Sequence, residues 1–202
     1  MTQKTLFLDI RNVILFFDLE KMYSQIAAYC QTDALAVQKT LETQEWGKQY
    51  ETGEIDSWTL FHRLPKSIQG SKGFAGWMET ISNIFKPNTP LISLIKELRQ
   101  NKIKLYTLSN ICEAHFAYAY THFPVLHLFD GHVLSCEIKS RAPEPKIYEE
   151  ALIKASTEKE HSFYVSASKE YVQKAQLLHI DSEIYTTPEA LHLQLKQKNY
   201  LL

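Results

Sequence analysis

The stretch TLFLDIRNVILFF, residues 5–17, decides the fold, because it reads as a buried strand that ends on a carboxylate. Residues 5–10 are apolar on both faces, which is typical of a parallel strand covered by helices. Asp9 lies at the end of this predicted strand, and Arg11 follows two residues later. An aspartate there is a candidate nucleophile or metal ligand, whereas an arginine beside it would take the space that a metal ion needs. The stretch therefore indicates either an active site or the remains of one.

Other short apolar runs predict further strands that alternate with helices. The strand candidates are residues 103–109, 162–167, 182–187 and a weaker run at 132–138. The helix candidates, which show helical spacing or a capping residue at the start, are residues 90–101, 145–155, 168–180 and 187–197. This alternation predicts an α/β fold, with a Rossmann-like, doubly wound and mainly parallel sheet. We expect the Asp9 strand in its middle and a core domain of residues 1–18 and 87–202.

Residues 19–86 interrupt the alternation with four helical patterns and no strand pattern. The patterns are LEKMYSQIAAYC, DALAVQKTLETQEWGKQY, DSWTLFHRL and FAGWMETISNIF. An insertion after the first strand of an open α/β sheet lies over the carboxyl ends of the strands, where ligands bind. We therefore predict that residues 19–86 form an all-helical cap domain.

Composition narrows the classes of function. The 202 residues are 45% hydrophobic and 22% charged, which is typical of a soluble globular protein. The net charge is −1 and no basic block is visible, which argues against a nucleic-acid partner. The three cysteines have no metal-site spacing and predict reduced thiols. Neither a signal peptide nor an apolar run of about 20 residues is visible, so we expect a cytoplasmic protein that does not engage a membrane.

Four polar clusters follow predicted strands, and their order resembles the motifs of the haloacid dehalogenase-like hydrolase superfamily. FLDIRNVI resembles the first motif, D-x-D-x-[TV]. YTLSN resembles the second, RAPEPKIYEEAL the third, K-P-[DE]-P-x-I-Y, and FYVSAS stands where the fourth, an acidic pair, belongs. YETGEIDSWTLF in the insertion resembles the small helical cap of the sugar-phosphatase-like branch. The resemblance covers almost the whole chain and implies the same fold that the strand pattern predicts.

The resemblance implies roles for particular residues. Asp9 matches the nucleophile that forms an aspartyl intermediate, and Ser109 matches the hydroxyl that holds the transferred phosphoryl group. These two are the candidate catalytic residues. The candidate substrate-binding residues, which lie in or beside the motifs, are Arg11, Asn12, Asn110, Tyr148, Ser166 and Ser168.

Three departures from the family pattern put its chemistry in doubt. Arg11 stands where an aspartate acts as general acid and base, and a guanidinium cannot do this at neutral pH. Ala142 replaces the motif lysine, although Arg141 and Lys146 flank it. Ser166 and Ala167 replace the acidic pair that holds Mg²⁺ in the family. Since Mg²⁺ needs carboxylate charge, we expect no metal site and no cofactor.

These departures leave several functions open. One is a catalytically degenerate protein with a binding or scaffold role, whose partner is a small phosphorylated or carboxylate ligand or an unidentified protein. The alternative is an active hydrolase with Asp9 as nucleophile. It would be either a metal-independent dehalogenase or a small-molecule phosphatase. VSAS and Tyr148 resemble motif residues of the dehalogenase branch, and the phosphatase would need a changed set of metal ligands in which Glu144 or Lys146 takes a new role. In the degenerate case we expect Arg11 to replace the metal and to form an ion pair with Asp9.

Overall fold

The computed structural model of the chain describes residues 3–42, 45–71 and 73–201. Within these ranges the strands are Thr5–Leu8 (β1), Leu15–Phe17 (β2), Phe85–Pro87 (β3), Lys104–Ser109 (β4), Gly131–Leu134 (β5), Ser162–Ser166 (β6) and Asp181–Ile184 (β7). The α-helices of the same ranges are Leu19–Cys30 (α1), Ala34–Glu42 (α2), Trp46–Glu51 (α3), Ser57–Arg63 (α4), Gly73–Ser82 (α5), Thr89–Gln100 (α6), Glu113–His122 (α7), Ser135–Ile138 (α8), Pro145–Ala155 (α9), Lys169–Leu177 (α10) and Pro188–Gln197 (α11).

Five strands form one sheet in the order β5-β4-β1-β6-β7. Every neighbouring pair in it is parallel, and β1 is the central strand. The predicted Rossmann-like α/β fold is thereby confirmed. Because parallel strands end at the same edge of a sheet, the residues that follow β1, β4 and β6 come together there.

Helices cover both faces of the sheet, which explains why its strands are apolar throughout. Successive side chains of a strand point to opposite faces. Leu6 and Leu8 accordingly belong to a cluster that includes the buried residues of α6 and α11. Phe7, between them, belongs to a second cluster that includes the buried residues of α9 and Ala175 of α10. Burial on both sides fixes the register of β1, since a slip of one residue would exchange these two sets.

A two-stranded antiparallel ribbon joins the sheet domain to the helices α1–α5. β2 pairs with β3 so that Phe17 lies opposite Phe85, and their ring centroids are 5.6 Å apart. The expectation of no strand within residues 19–86 was therefore wrong at Phe85 and Lys86. A strand of three residues gives no periodic signal, and its pairing with β2 crosses about 70 residues that the sequence pattern cannot connect.

Two other predicted strands end earlier than their apolar runs. The run at 132–138 forms β5 only as far as Leu134, and the rest is the short helix α8. The run at 182–187 gives β7, which ends at Ile184. Thr187 instead begins α11 as its N-cap, because its hydroxyl accepts a hydrogen bond from the Ala190 N–H. None of the helices in the described ranges is long and apolar enough to span a bilayer.

Candidate functional site

Asp9 lies at the carboxyl edge of the sheet and receives three hydrogen bonds. The Ser109 hydroxyl at the end of β4 donates to Asp9 Oδ1 over 2.7 Å, and the Ser166 hydroxyl at the end of β6 donates to Oδ2 over 2.8 Å. The backbone N–H of Arg11 also donates to Oδ1, over 3.2 Å. Asp9 is 4% exposed. The parallel sheet therefore brings together three of the residues singled out in the sequence, as neighbours of one buried carboxylate.

Burial dominates the electrostatics of this carboxylate. Desolvation raises the pKa of Asp9 above its ordinary value, while the hydrogen bonds from Ser109 and Ser166 and the charge of Arg11 oppose the rise. The two hydroxyls and the N–H stabilise the charged form without supplying a full positive charge beside it. Asp9 is thus a poorly compensated buried acid.

The Arg11 guanidinium does not pair with Asp9, and the expected ion pair was wrong. Its Nη1 donates to Glu51 Oε1 over 2.6 Å and to the backbone carbonyl of Asn110 over 3.2 Å. The guanidinium carbon also lies 4.1 Å from the centroid of the Phe17 ring. A carboxylate on the insertion, 40 residues away in sequence, therefore binds this cation.

Glu51 bridges two arginines of the sheet domain. Its Oε2 lies 3.2 Å from Arg141 Nη2, while Oε1 accepts from Arg11, and the three side chains are each about a quarter exposed. The Glu51 carbonyl also accepts a 2.5 Å hydrogen bond from the Ser135 hydroxyl. This Arg11–Glu51–Arg141 cluster, which we call the arginine bridge, fixes the end of α3 against the carboxyl edge of the sheet.

The Asn110 side chain binds the backbone of Ala142, the residue at the position where the family motif has a lysine. Its Oδ1 accepts from the Ala142 N–H and its Nδ2 donates to the Ala142 carbonyl, both over 2.8 Å. Nδ2 also donates to the Tyr171 hydroxyl over 3.0 Å. The 2% exposed Asn110 side chain is therefore occupied by protein partners. Its proposed contact with substrate stays a prediction.

The remaining candidates hold the surrounding loops and helices. Asn12 has a φ of 58° and its Oδ1 accepts from the Phe17 N–H, which closes the turn before β2. The Ser168 hydroxyl caps the N-terminus of α10, and the backbone N–H of Ser168 donates a hydrogen bond to Ser166 Oγ. Tyr148 is buried and donates to the Tyr171 carbonyl. Lys146 is exposed on the first turn of α9. For Asn12, Tyr148 and Ser168 the substrate contact likewise stays a prediction.

The Arg11 residue lines two cavities. A polar one of about 180 Å³ is lined by Asp9, Asn110 and the loop at Ser168. A mostly apolar one of about 340 Å³ lies among the helices of the insertion. Arg11 lines both, and Glu51 lines only the second. Sequence reasoning missed Glu51, although it lies in the stretch YETGEIDSWTLF that had already been singled out.

Comparison with known proteins supplies the family. A family model described as haloacid dehalogenase-like hydrolase matches residues 27–183, which is well over half of the chain. The chain belongs to this family. A curated relative, the sesquiterpene phosphatase astK of Aspergillus oryzae, is 27% identical over 161 residues, and the match covers 76% of this chain and 82% of that protein.

Solved structures of the family share the fold. The HAD family enzyme bt-2542 of Bacteroides thetaiotaomicron, in complex with magnesium and inorganic phosphate, superposes with a TM-score of 0.80 at 21% identity, covering 92% of this chain and 96% of that one. A HAD-like family hydrolase from Porphyromonas gingivalis gives 0.76 at 15% identity, with 96% and 98% covered. At such identities the likeness concerns the fold alone.

The residues at the carboxyl edge do not fit the magnesium that the family uses. Mg²⁺ requires several oxygen ligands with carboxylate charge. Both Asp9 oxygens instead accept hydrogen bonds, and the Ser166 hydroxyl, at an acidic motif position, is one of the donors. Across the described ranges, no three His, Cys, Asp or Glu side chains lie close enough to hold a metal. The donor set is that of a hydrogen-bonded carboxylate and not of a cation site.

Removing the charge of Asp9 is expected to stabilise the fold. A raised folded-state pKa means that Asp9 contributes stability below its ordinary value of 3.8 and loses it as pH rises through the folded value. Asp9→Asn should therefore raise the free energy of unfolding at pH 7 by about 1 kcal/mol, because the cost of burying the charge disappears while both hydroxyls can reorient. Urea melts should show this gain shrinking as the pH falls from 7 toward the ordinary aspartate pKa of 3.8. The exposed Glu149→Gln is the control, and a loss of stability in Asp9→Asn at pH 7 would contradict the argument.

Proposed function

We propose that this chain is a haloacid dehalogenase-like protein that binds a small anionic ligand and does not turn over phosphate esters by the magnesium-dependent aspartyl route. The observation that carries the proposal is the hydrogen-bonding of Asp9, whose two oxygens accept from the Ser109 and Ser166 hydroxyls. Ser109 and Ser166 hold the positions at which the family binds phosphate and metal. In this chain their hydroxyl protons are committed to the carboxylate.

The chemistry of each step of phosphoryl transfer supports this proposal. An aspartyl nucleophile attacks a phosphorus atom whose oxygens are neutralised by cations, and most of the catalysis is positioning and charge neutralisation. Arg11 is paired with Glu51, and Ala142, at the lysine position, is buried and supplies no charge. The leaving group would also need a proton, which a guanidinium does not give up. Charge neutralisation beside Asp9 and protonation of the leaving group therefore each lack a residue.

An anionic ligand is favoured by the charge of the arginine bridge. Two guanidinium groups converge on the single Glu51 carboxylate, so the arginine bridge itself carries an excess of one positive charge. The curated relative named a sesquiterpene phosphatase is consistent with a ligand that carries a phosphate group on an apolar skeleton. In our proposal this chain has kept the binding of such a ligand and has lost its hydrolysis.

Magnesium titration of the wild-type protein and of a reversed variant tests the proposal. Calorimetry with millimolar Mg²⁺ should show no binding to wild type, because the carboxylate ligands are missing. Arg11→Asp combined with Ala142→Lys, Ser166→Asp and Ala167→Asp restores the family residues and should create a magnesium site. The variant with Ala142→Lys alone is the control, since a lysine adds no metal ligand. A thermal melt of each variant checks folding.

A substrate screen of the wild-type protein completes the test. Phosphate esters and 2-haloacids are assayed with and without Mg²⁺, on the wild-type protein and on Asp9→Asn. We expect that no substrate is turned over in a way that depends on Asp9. Phosphate release that depends on both Mg²⁺ and Asp9 would overturn the proposal in favour of a rewired phosphatase. Halide release that depends on Asp9 alone would overturn it in favour of a metal-independent dehalogenase.

A further inference from the structure

The helical insertion contains a cavity with largely apolar walls and four charged residues in its lining, the cations Arg11 and Lys48 and the carboxylates Glu42 and Glu51. Its volume is about 340 Å³, and its walls include Met22 and Ile26 of α1, Leu41 of α2, Leu60 of α4 and Trp77 of α5. Arg11 enters the lining from the sheet domain and contacts Glu51 there. Small-molecule sites are typically apolar cavities with a few polar groups that fix orientation. This cavity has that character.

Arg11 has hydrogen-bond donors to spare. A guanidinium carries five N–H groups, and Nη1 of Arg11 donates to both Glu51 and the Asn110 carbonyl. Within the described residues, Nη2 and Nε have no acceptor, and neither is among the buried atoms that lack a partner. The free donors are therefore open to solvent or to a ligand. An incoming anionic group can bind Arg11 without first displacing Glu51.

The position of Arg11 keeps such a ligand away from Asp9. The side chain lines both cavities and packs on the Phe17 ring, so that it stands between the apolar space and the polar space at the sheet edge. The Asp9 carboxylate repels an anion, whereas the guanidinium attracts it. An anionic group bound at Arg11 from the insertion side consequently does not reach the carboxylate that would attack it.

We propose that the insertion cavity binds an amphiphile with one anionic head group, its tail among the apolar walls and its head on the Arg11 guanidinium. This inference rests on the proposed function and names the class of ligand. The volume lies near the lower end of the range for small-molecule sites, which favours a tail of medium length. Each methylene taken from water should strengthen binding about fourfold.

The head and tail are tested separately on the wild-type protein. Calorimetry compares decanoate and decyl phosphate, below their micelle concentrations, with acetate and inorganic phosphate, which lack the tail, and with decanol, which lacks the charge. We expect at least one of the two amphiphiles to bind at least tenfold more tightly than its head group alone and than decanol. Comparison of decanoate with decyl phosphate identifies the head group as carboxylate or phosphate.

Paired variants locate the tail and the head. Leu41→Trp fills the cavity and should weaken amphiphile binding at least tenfold, whereas Leu35→Trp, on the exposed face of the same helix, should not. Arg11→Met removes the head contact, and the exposed Arg63→Met is its control. Intrinsic fluorescence gives a second readout, because Trp46 and Trp77 both line the cavity.

The outcomes separate this inference from the proposed function. If decyl phosphate binds no more tightly than phosphate and decanoate no more tightly than acetate, the amphiphile site is overturned, while measurable binding of either head group leaves the anion-binding function standing. Tight, tail-dependent binding accompanied by hydrolysis of decyl phosphate would support the site and overturn the loss of turnover. Binding that survives both Leu41→Trp and Arg11→Met would overturn the location of the ligand, whatever its chemistry.

Discussion

Glu51→Ala is expected to lower the free energy of unfolding by about 2 to 3 kcal/mol. The substitution leaves Arg11 and Arg141 without their shared carboxylate and facing each other at the carboxyl edge of the sheet. Breaking a fully buried ion pair costs about 3 to 5 kcal/mol and a surface pair contributes about 0 to 1. The three side chains are about a quarter exposed, which places the cost between these limits. Urea melts measure it, with the exposed Glu45→Ala as the control.

Two double-mutant cycles that share Arg11→Ala identify the true partner of Arg11. The cycle with Glu51→Ala should give a coupling energy of about 1 to 2 kcal/mol, since the two side chains are 2.6 Å apart. The cycle with Asp9→Asn should give less than about 0.5 kcal/mol. Arg11 contacts Asp9 through its backbone N–H, which alanine retains. The opposite ranking would restore the view that Arg11 replaces the metal.

The arginine bridge also bears on the proposed function. A cap that admits phosphate esters to Asp9 has to leave the nucleophile accessible. Here the end of α3 is held at the sheet edge by the bridge and by the Ser135 hydroxyl. Ser57, at the start of α4, adds two hydrogen bonds to Glu113 of α7, of 2.9 Å and 2.5 Å. These contacts join the insertion to the first residues of α7 and α8, the helices that follow β4 and β5.

The fold and the immediate neighbours of Asp9 could be predicted from the sequence for a physical reason. Strands buried on both faces give continuous apolar runs, and parallel strands place the residues after each run at one edge. The three short motifs at the ends of β1, β4 and β6 are therefore expected to lie next to one another. Asp9, Ser109 and Ser166 do so within 2.8 Å.

The partner of Arg11 could not be predicted in the same way. Whether the Arg11 guanidinium pairs with Asp9 or with Glu51 depends on how the insertion packs against the sheet. Hydrophobic periodicity carries no information about that packing. A guanidinium two residues from a carboxylate suggested a local pair. The chain, however, directs the Arg11 backbone N–H at Asp9, and the side chain then extends away from it to Glu51. The β2–β3 ribbon escaped prediction for the same reason, since its pairing is long-range.

His115 is expected to make the fold acid-sensitive. Burial, with a smaller contribution from the charge of Arg11, lowers the pKa of His115 to about 4 from an ordinary value of 6.5. The unfolded chain therefore takes up this proton at a higher pH than the folded protein. The stability contributed by neutral His115 is present above pH 6.5 and is lost as pH falls through 6.5 toward 4. The loss amounts to about 3 kcal/mol over that window.

His115→Gln isolates this effect, because glutamine does not titrate and can still donate to the Ile81 carbonyl that His115 Nε2 contacts at 3.1 Å. Urea melts at intervals from pH 7 to pH 4 should show the wild type losing about 3 kcal/mol more than the variant. The contribution of Asp9 has the opposite sign and cancels, since both proteins contain it. His122→Gln, at the exposed end of the same helix, is the matched control. If the wild-type and His115→Gln curves run parallel, His115 is not held neutral by burial, and a protonated imidazole would then join Arg11 in the cavity wall at mildly acidic pH.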